Sequence, residues 1–166
     1  DSVAILQALV RCPSITPLDA GALRILENLL SAQGFVCQRL IFKDENTADV
    51  ENLFARIGTG APHLCFAGHT DVVPPGREED WSHPPFAGEI ADGCLYGRGA
   101  CDIKGAAAVL LALAEQDVGH LALLFTSDEE GAGGCCVARF LDAGEGSRFE
   151  QIVVAEPTLC RAVLGH

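Results

Sequence analysis

The chain has 166 residues, of which 49% are hydrophobic and 20% are charged, a composition typical of a globular protein with one domain and its own core. The formal net charge of −12 argues against nucleic acid as a partner. The longest apolar stretch, from Gly105 to Ala114, is too short to cross a bilayer, and no secretion signal is recognised at the start. We therefore expect neither nucleic acid nor a membrane as a partner.

The eight cysteines form no C-x-x-C pair, which argues against a zinc site built from thiolates. Cys65, Cys101 and Cys160 have apolar or small neighbours, and we expect them to be buried free thiols. Free thiols without a secretion signal indicate a reducing compartment, so a cytoplasmic location is predicted.

Two helices and two strands are predicted in the first third of the chain. Apolar residues at helical spacing predict a helix over 2–11. A second helix is predicted up to Gln33, and Asp19 can cap its start. Strands are expected over 35–42 and 53–57.

Strands and helices alternate along the rest of the chain. Buried strands are predicted over 64–67, 121–126 and 152–155, helices over 103–115 and 132–143, a long loop over 70–85, and a hairpin over 86–96 that turns at Asp92-Gly93. This alternation predicts an α/β fold in which helices cover both faces of a sheet.

Histidine and carboxylate residues follow each of the predicted buried strands. His69 follows the first, Glu129 and Glu130 follow the second, and Glu156 follows the third. Asp102 lies at the predicted start of a helix. Because ligands bind beyond the carboxyl ends of strands in open α/β sheets, these side chains are expected to converge on one rim.

The spacing of these residues suggests roles and leaves alternatives open. His69 and Asp71 are two apart, so in an extended chain the carboxylate can accept the imidazole N–H and fix the tautomer that binds metal. Asp102 could bridge two metal ions, although a helix cap is the simpler interpretation of this residue alone. Glu129 and Glu130 are adjacent and cannot point the same way, so one can bind metal while the other acts as a base. Spacing does not rank the two.

A set of nitrogen and oxygen ligands suits zinc, with manganese or cobalt as substitutes. Two divalent ions about 3.5–4 Å apart would share a water and lower its pKa towards neutrality. Thr126 and Ser127 are poor candidates for a nucleophile because no histidine is paired with them. Gly97-x-Gly99 lacks the further residues of a phosphate-binding loop.

Four short segments carry a resemblance to a known family. They are 68–74 (Gly-His-Thr-Asp-Val-Val-Pro), 97–105 (Gly-Arg-Gly-Ala-Cys-Asp-Ile-Lys-Gly), 127–131 (Ser-Asp-Glu-Glu-Gly) and 155–158 (Ala-Glu-Pro-Thr). Together they resemble the zinc-dependent aminoacylase/carboxypeptidase family of metallopeptidases and deacylases, and the resemblance covers essentially the whole chain. Within the family, segment 13–17 (Pro-Ser-Ile-Thr-Pro) and the stretch 69–105 look most like one of its branches.

The resemblance implies a two-zinc hydrolase that cleaves the amide of a small acylated amino acid. Its implied ligands are His69 and Glu156 on one metal, Glu130 on the second, and Asp102 between the two. It also implies that Glu129 is the general base and that Asp71 orients the imidazole of His69. The resemblance favours succinyl as the acyl group and leaves acetyl as the alternative.

Members of that family are longer than this chain and are expected to be homodimers. The resemblance implies that residues 1–166 are the N-terminal portion of the catalytic, metal-binding domain. A lid and dimerisation domain, and a returning segment with the last metal-binding histidine, would then lie outside it. His166 is expected to be a linker or surface residue, and a non-catalytic fragment of the family is the alternative to an enzyme.

Overall fold

The computed structural model describes residues 1–43, 48–58, 60, 64–116, 119–131, 137–144, 149–159 and 161–163. Within these ranges the chain forms the predicted α/β fold, with a five-stranded sheet, a two-stranded hairpin and helices on both faces of the sheet. The helices are α1 (Ser2–Val10), α2 (Ala22–Ala32), α3 (Gly105–Ala114) and α4 (Val137–Asp142). The strands are β1 (Val36–Phe42), β2 (Val50–Ile57), β3 (Leu64–His69), β4 (Glu89–Ala91), β5 (Cys94–Tyr96), β6 (Leu121–Thr126) and β7 (Gln151–Val154).

The order of strands in the larger sheet is β1-β2-β6-β3-β7. The first two strands are antiparallel to each other, and β2 is antiparallel to β6. The last three strands in the order, β6, β3 and β7, are parallel. Their carboxyl ends therefore lie at the same edge of the sheet, where the segments that follow them meet.

The central strand β6 is buried on both faces. Leu121, Leu123 and Phe125 pack into a core with residues of α1, α2 and α3, whereas Ala122 and Leu124 pack into a second core with a residue of α4. A strand covered on both sides has no polar face, which explains its continuous apolar run in the sequence.

Two local signals in the sequence have the predicted outcome. The hairpin between β4 and β5 turns at Asp92 and Gly93, whose φ angles of 51° and 78° are the left-handed values that a tight hairpin needs. The carboxylate of Asp19 accepts the N–H groups of Gly21 and Leu23 at 3.0 and 2.7 Å, at the start of α2.

Two predictions about burial are wrong. The strand predicted over 152–155 is β7, and its residues are exposed because it is the edge strand beside β3. An apolar run does not tell a central strand from an edge strand. Cys101 is exposed because the helical turn Ala100–Lys104 buries Ile103 and Lys104 and leaves Cys101 on its solvent side. Cys65, in β3, is buried as predicted.

Some predictions fall on residues that the structure does not describe. Among them are Cys160, His166 and the first five residues of the helix predicted over 132–143, whose described part is α4. In the part of the chain that the structure describes, no helix has both the length and the apolar character needed to cross a membrane.

Candidate metal centre

The predicted site residues meet at the edge where β3, β6 and β7 end. His69 is the last residue of β3, Glu129 and Glu130 follow β6, and Glu156 follows β7. Asp102 reaches the same place from the turn ahead of α3. Segments that are far apart in the sequence thus contribute to one cluster.

The imidazole Nε2 of His69 faces three carboxylates. It lies 3.3 Å from Asp102 Oδ1, 3.6 Å from Glu156 Oε1 and 3.8 Å from Glu129 Oε2. The side chain of His69 is 1% exposed, whereas those of Asp102 and Glu129 are each 51% exposed. The cluster therefore has a buried histidine as its floor and carboxylates at a rim that a substrate can reach.

The other ring nitrogen of His69 is held by Asp71. Nδ1 lies 2.8 Å from the carbonyl oxygen of Asp71 and 3.5 Å from its carboxylate Oδ1. A carbonyl oxygen only accepts, so Nδ1 carries a hydrogen, and in the neutral ring, the form that binds metal, Nε2 has the lone pair. This is the tautomer that the sequence predicts, but the nearer acceptor is the main-chain carbonyl and not the carboxylate.

The carboxylate of Asp71 instead organises the loop after β6. It is fully buried, and it accepts the backbone N–H of Glu129 on Oδ1 at 3.1 Å and that of Glu130 on Oδ2 at 3.0 Å. The hydroxyl of Thr16 donates to Oδ2 at 2.6 Å. Burial alone raises the pKa of Asp71, but hydrogen bonds from His69, Thr16 and the two amides outweigh it and lower that pKa. Asp71 therefore stays an acceptor for all of them.

Asp102 joins the cluster because the chain leaves helical geometry at this residue. Its φ and ψ of −113° and 93° interrupt the turn Ala100–Lys104, and Lys104 occupies the cap position of α3. Asp102 is therefore not the helix cap that its position in the sequence allows. At Gly99, a Cβ would come within 2.6 Å of Val72 Cγ1, so the turn starts where only glycine fits.

Lys104, to which no predicted site role is attached, is fully buried beside the site. Its Nζ donates to the carbonyl oxygen of Cys12 at 3.0 Å. Burial lowers the pKa of Lys104 to about 8, against the opposing charges of Cys12, Asp71 and Asp19. A cation at a helix N-terminus is unfavourable because it opposes the helix dipole. The unusual position of Lys104 in the sequence therefore indicates that its side chain is used for something other than capping α3. It ties α3 to the segment after α1.

Crowded carboxylates dominate the electrostatics of the cluster. Burial is the largest cause of the raised pKa values of Glu130 and Glu156, and the negative charge of Asp102 raises them further. The charge of His69 lowers both pKa values. Burial lowers the pKa of His69, but hydrogen bonds and charge from Asp71 and the charge of Glu156 raise it to about 9. The raised pKa values of His69, Glu130 and Glu156 favour binding of protons in the cluster. A divalent cation bound there would offset the same negative charge of the carboxylates.

Two overlapping groups among the described residues have the spacing of a metal site. They are His69, Asp102 and Glu156, and His69, Glu129 and Glu130, with the ligand atoms of each group within 4.8 Å of one another. One imidazole nitrogen with carboxylate oxygens is a donor set that zinc and other first-row divalent metals accept. Both groups use His69, whose Nδ1 is already bonded, so only one of them can have Nε2 as a ligand.

An α/β sheet with a histidine and several carboxylates at the carboxyl ends of its strands is typical of metal-dependent hydrolases. Residues 65–165 match the model of the family described as Peptidase family M20/M25/M40. This chain belongs to that family, whose members are metal-dependent peptidases and deacylases.

Individual relatives agree with this assignment. The chain is 51% identical to a succinyl-diaminopimelate desuccinylase of Rhodopseudomonas palustris (strain BisB18), over 98% of this chain and 45% of that protein. It is 50% identical to a succinyl-diaminopimelate desuccinylase of Methylorubrum extorquens, over 94% of this chain and 43% of that protein. The chain thus spans less than half the length of the curated relatives it matches.

The same fold occurs in an M20 family metallo-carboxypeptidase from Sulfolobus solfataricus. Its crystal structure superposes with a TM-score of 0.71 over 93% of this chain and 37% of that chain. Since the sequence identity is 20%, this similarity shows the fold alone.

Proposed function

We propose that the whole protein is a zinc-dependent succinyl-diaminopimelate desuccinylase. It would hydrolyse N-succinyl-LL-2,6-diaminopimelate to succinate and diaminopimelate, a step of diaminopimelate and lysine biosynthesis. The observation that carries the proposal is the convergence of His69, Asp102 and Glu156 in a chain that is 51% identical to a desuccinylase. The proposed substrate is inferred from the relatives, and the proposed chemistry is inferred from the cluster of metal-binding side chains.

The ligand assignment follows the geometry around Nε2 of His69. We assign His69, Asp102 and Glu156 to one zinc, because Asp102 Oδ1 at 3.3 Å and Glu156 Oε1 at 3.6 Å lie nearer to Nε2 of His69 than Glu129 Oε2 at 3.8 Å. Three protein ligands are what a catalytic zinc needs, with the fourth position open. Asp102 has a second oxygen for a neighbouring metal, and Glu130 would hold that metal. Burial raises the pKa of Glu130 and the negative charge of Asp102 adds to it, a repulsion that a cation held by both carboxylates would relieve.

When bound, the metal would polarise the scissile carbonyl and activate a water. The side chains of the protein would position the reacting groups and transfer a proton. Glu129 is half-exposed and lies 3.8 Å from His69 Nε2, within reach of both the metal position and the solvent. We assign Glu129 as the general base that takes the proton of the attacking water and gives it to the leaving amine.

Partners and location belong to the same proposal. The substrate would be a small acylated amino acid, and the whole protein would act as a homodimer. The net charge of −12 disfavours nucleic acid. The described cysteines are all free, which supports the predicted cytoplasmic location.

A turnover assay on the chain at its full natural length tests the proposal. The zinc-loaded protein is expected to hydrolyse succinyl-diaminopimelate with a kcat/KM about 100-fold or more above that for N-acetylornithine, because a site built for the succinyl carboxylate rejects a ligand that lacks it. Removing the metal should abolish turnover and adding zinc should restore it. Preference for N-acetylornithine would identify a deacetylase instead. No turnover of either substrate with zinc bound would favour the non-catalytic alternative.

A further inference from the structure

The segment 13–17 has no part in the chemistry assigned so far, although it runs beside the site. The N–H of Val72 donates to the carbonyl of Ser14 at 2.9 Å, and the N–H of Thr16 donates to the carbonyl of Val72 at 3.2 Å. Ile15 and Val72 form a parallel bridge. These bonds fix the backbone of Thr16 next to Asp71.

The hydroxyl of Thr16 has one hydrogen and a clear choice of acceptor. Its Oγ1 lies 2.6 Å from Asp71 Oδ2 and 3.4 Å from the carbonyl oxygen of Val72, so the hydrogen goes to the carboxylate. The N–H of Glu130 donates to the same Oδ2, and the N–H of Glu129 donates to Oδ1. One buried carboxylate thus links Thr16 to two consecutive amides.

We propose that Thr16 is a positioning residue that sets the location of Glu129 and Glu130 through Asp71. The hydroxyl fixes the rotation of the Asp71 carboxylate, and the two oxygens of that carboxylate then fix the two amides. This inference rests on the proposed function for the roles of Glu129 and Glu130, but the hydrogen-bond path is independent of those roles.

Close packing on the other side of Thr16 supports a defined position for the loop. At Gly131, an added Cβ would collide first with Asp128 Oδ1 and would also lie 2.9 Å from the methyl Cγ2 of Thr16. The end of the loop that carries Glu129 and Glu130 therefore passes close to Thr16, where a glycine gives the room. Thr16 contacts the loop with its methyl group and organises it with its hydroxyl.

Three variants at full natural length separate positioning from mere structural support. Thr16→Val keeps the shape and removes the hydroxyl, whereas Thr16→Ser keeps the hydroxyl. Ser14→Ala is the matched control, because it removes a buried hydroxyl from the same segment that donates to the carbonyl of Thr70, at 2.6 Å, and not to Asp71. Should Thr16→Val not fold, Thr16→Ala serves in the same comparison.

The first readout is hydrogen exchange of the peptide 127–131 in the metal-free protein, which does not depend on catalysis. Thr16→Val should make this peptide exchange about 10-fold faster or more, since the amides lose an ordered acceptor. The second readout is kcat of the zinc-loaded protein, expected to fall about 10- to 100-fold, as for a small misplacement of catalytic groups. Thr16→Ser should restore both, and Ser14→Ala should change neither.

Unchanged exchange in Thr16→Val would overturn the inference, as would equal changes in Ser14→Ala. Faster exchange in Thr16→Val, in a protein whose wild type has no turnover, would support the hydrogen-bond path while contradicting the proposed function. The two failures are therefore distinguishable.

Discussion

Asp71 holds His69 through its main chain and not primarily through its side chain. The carbonyl oxygen of Asp71 lies 2.8 Å from Nδ1 of His69, while its carboxylate Oδ1 lies 3.5 Å away. The backbone carbonyl is thus the nearer acceptor for the imidazole N–H, and the carboxylate, which also interacts with the ring, holds the loop that carries the two glutamates. A side-chain substitution at Asp71 should therefore act more on that loop than on the imidazole.

Asp71→Asn tests this division of roles. The variant turns one acceptor oxygen into an NH2 donor, which has to face N–H or O–H donors that now point at the carboxylate. We expect kcat or metal affinity to fall about 10- to 100-fold, the usual effect of losing such a supporting group. Steady-state kinetics and zinc titration measure it. Asp49→Asn, at an exposed ion pair with Lys43, is the control and should change neither. Full activity in Asp71→Asn would contradict the assignment.

Paired substitutions rank Glu129 against Glu130. In the chain at its full natural length, Glu129→Gln should lower kcat about 10²- to 10⁴-fold and leave the metal content unchanged, because it removes a base and keeps the shape. Glu130→Gln should lower the metal content. Kinetics with metal analysis on the same samples decides the matter. Metal loss in Glu129→Gln with metal retained in Glu130→Gln would show that the two roles are reversed.

The 166-residue chain by itself should bind one zinc tightly. Among the described residues, His69, Asp102 and Glu156 form one complete set, and the second group would need the same Nε2 of His69. We therefore expect about one zinc per chain by metal analysis after dialysis. Because the proposed chemistry uses two metal ions, we also expect little or no desuccinylase or deacetylase turnover with one zinc bound. Two tightly held zincs with turnover would show that a residue outside these sets completes the second site.

Burial of Cys65 makes the stability of the protein depend on pH. Burial raises the pKa of this thiol from 9.0 to about 12, so the folded state favours the protonated form. The contribution of the Cys65 thiol to the free energy of unfolding is complete below pH 9 and is lost as the pH rises towards 12. The reason is that the thiol ionises at a lower pH in the unfolded chain than in the folded protein. Relative to Cys65→Ala, the free energy of unfolding should fall by about 1.4 kcal/mol between about pH 8 and pH 10. Denaturant titrations at both pH values measure it, and parallel pH dependences for the two proteins would contradict the prediction.

Local signals in the sequence predicted most of the fold. The apolar run of β6, the Asp92-Gly93 turn and the capping carboxylate of Asp19 each depend on near neighbours, and each has the predicted outcome. The exposure of β7 was missed because it depends on which strands lie beside it, and an apolar run carries no information on strand order. The early start of β2, at Val50, likewise reflects its pairing with β1.

In the candidate site, too, some features are predictable from the sequence and others are not. Positions at strand ends were enough to predict that His69, Glu129 and Glu156 would meet. The hydroxyl of Thr16 and the amides bound by Asp71 are not predicted, because position at a strand end does not tell which way a hydroxyl or a backbone N–H points. Such hydrogen bonds depend on how the assembled sheet places neighbouring segments, and no single segment of the sequence determines that.

Anomalous diffraction at the zinc edge, on crystals grown with zinc, tests the central claim most directly. We expect a peak about 2.0–2.2 Å from Nε2 of His69 and from a carboxylate oxygen of both Asp102 and Glu156. Nδ1 of His69 should remain bonded to the carbonyl of Asp71. A zinc peak elsewhere on the chain, with no density between these three side chains, would contradict it.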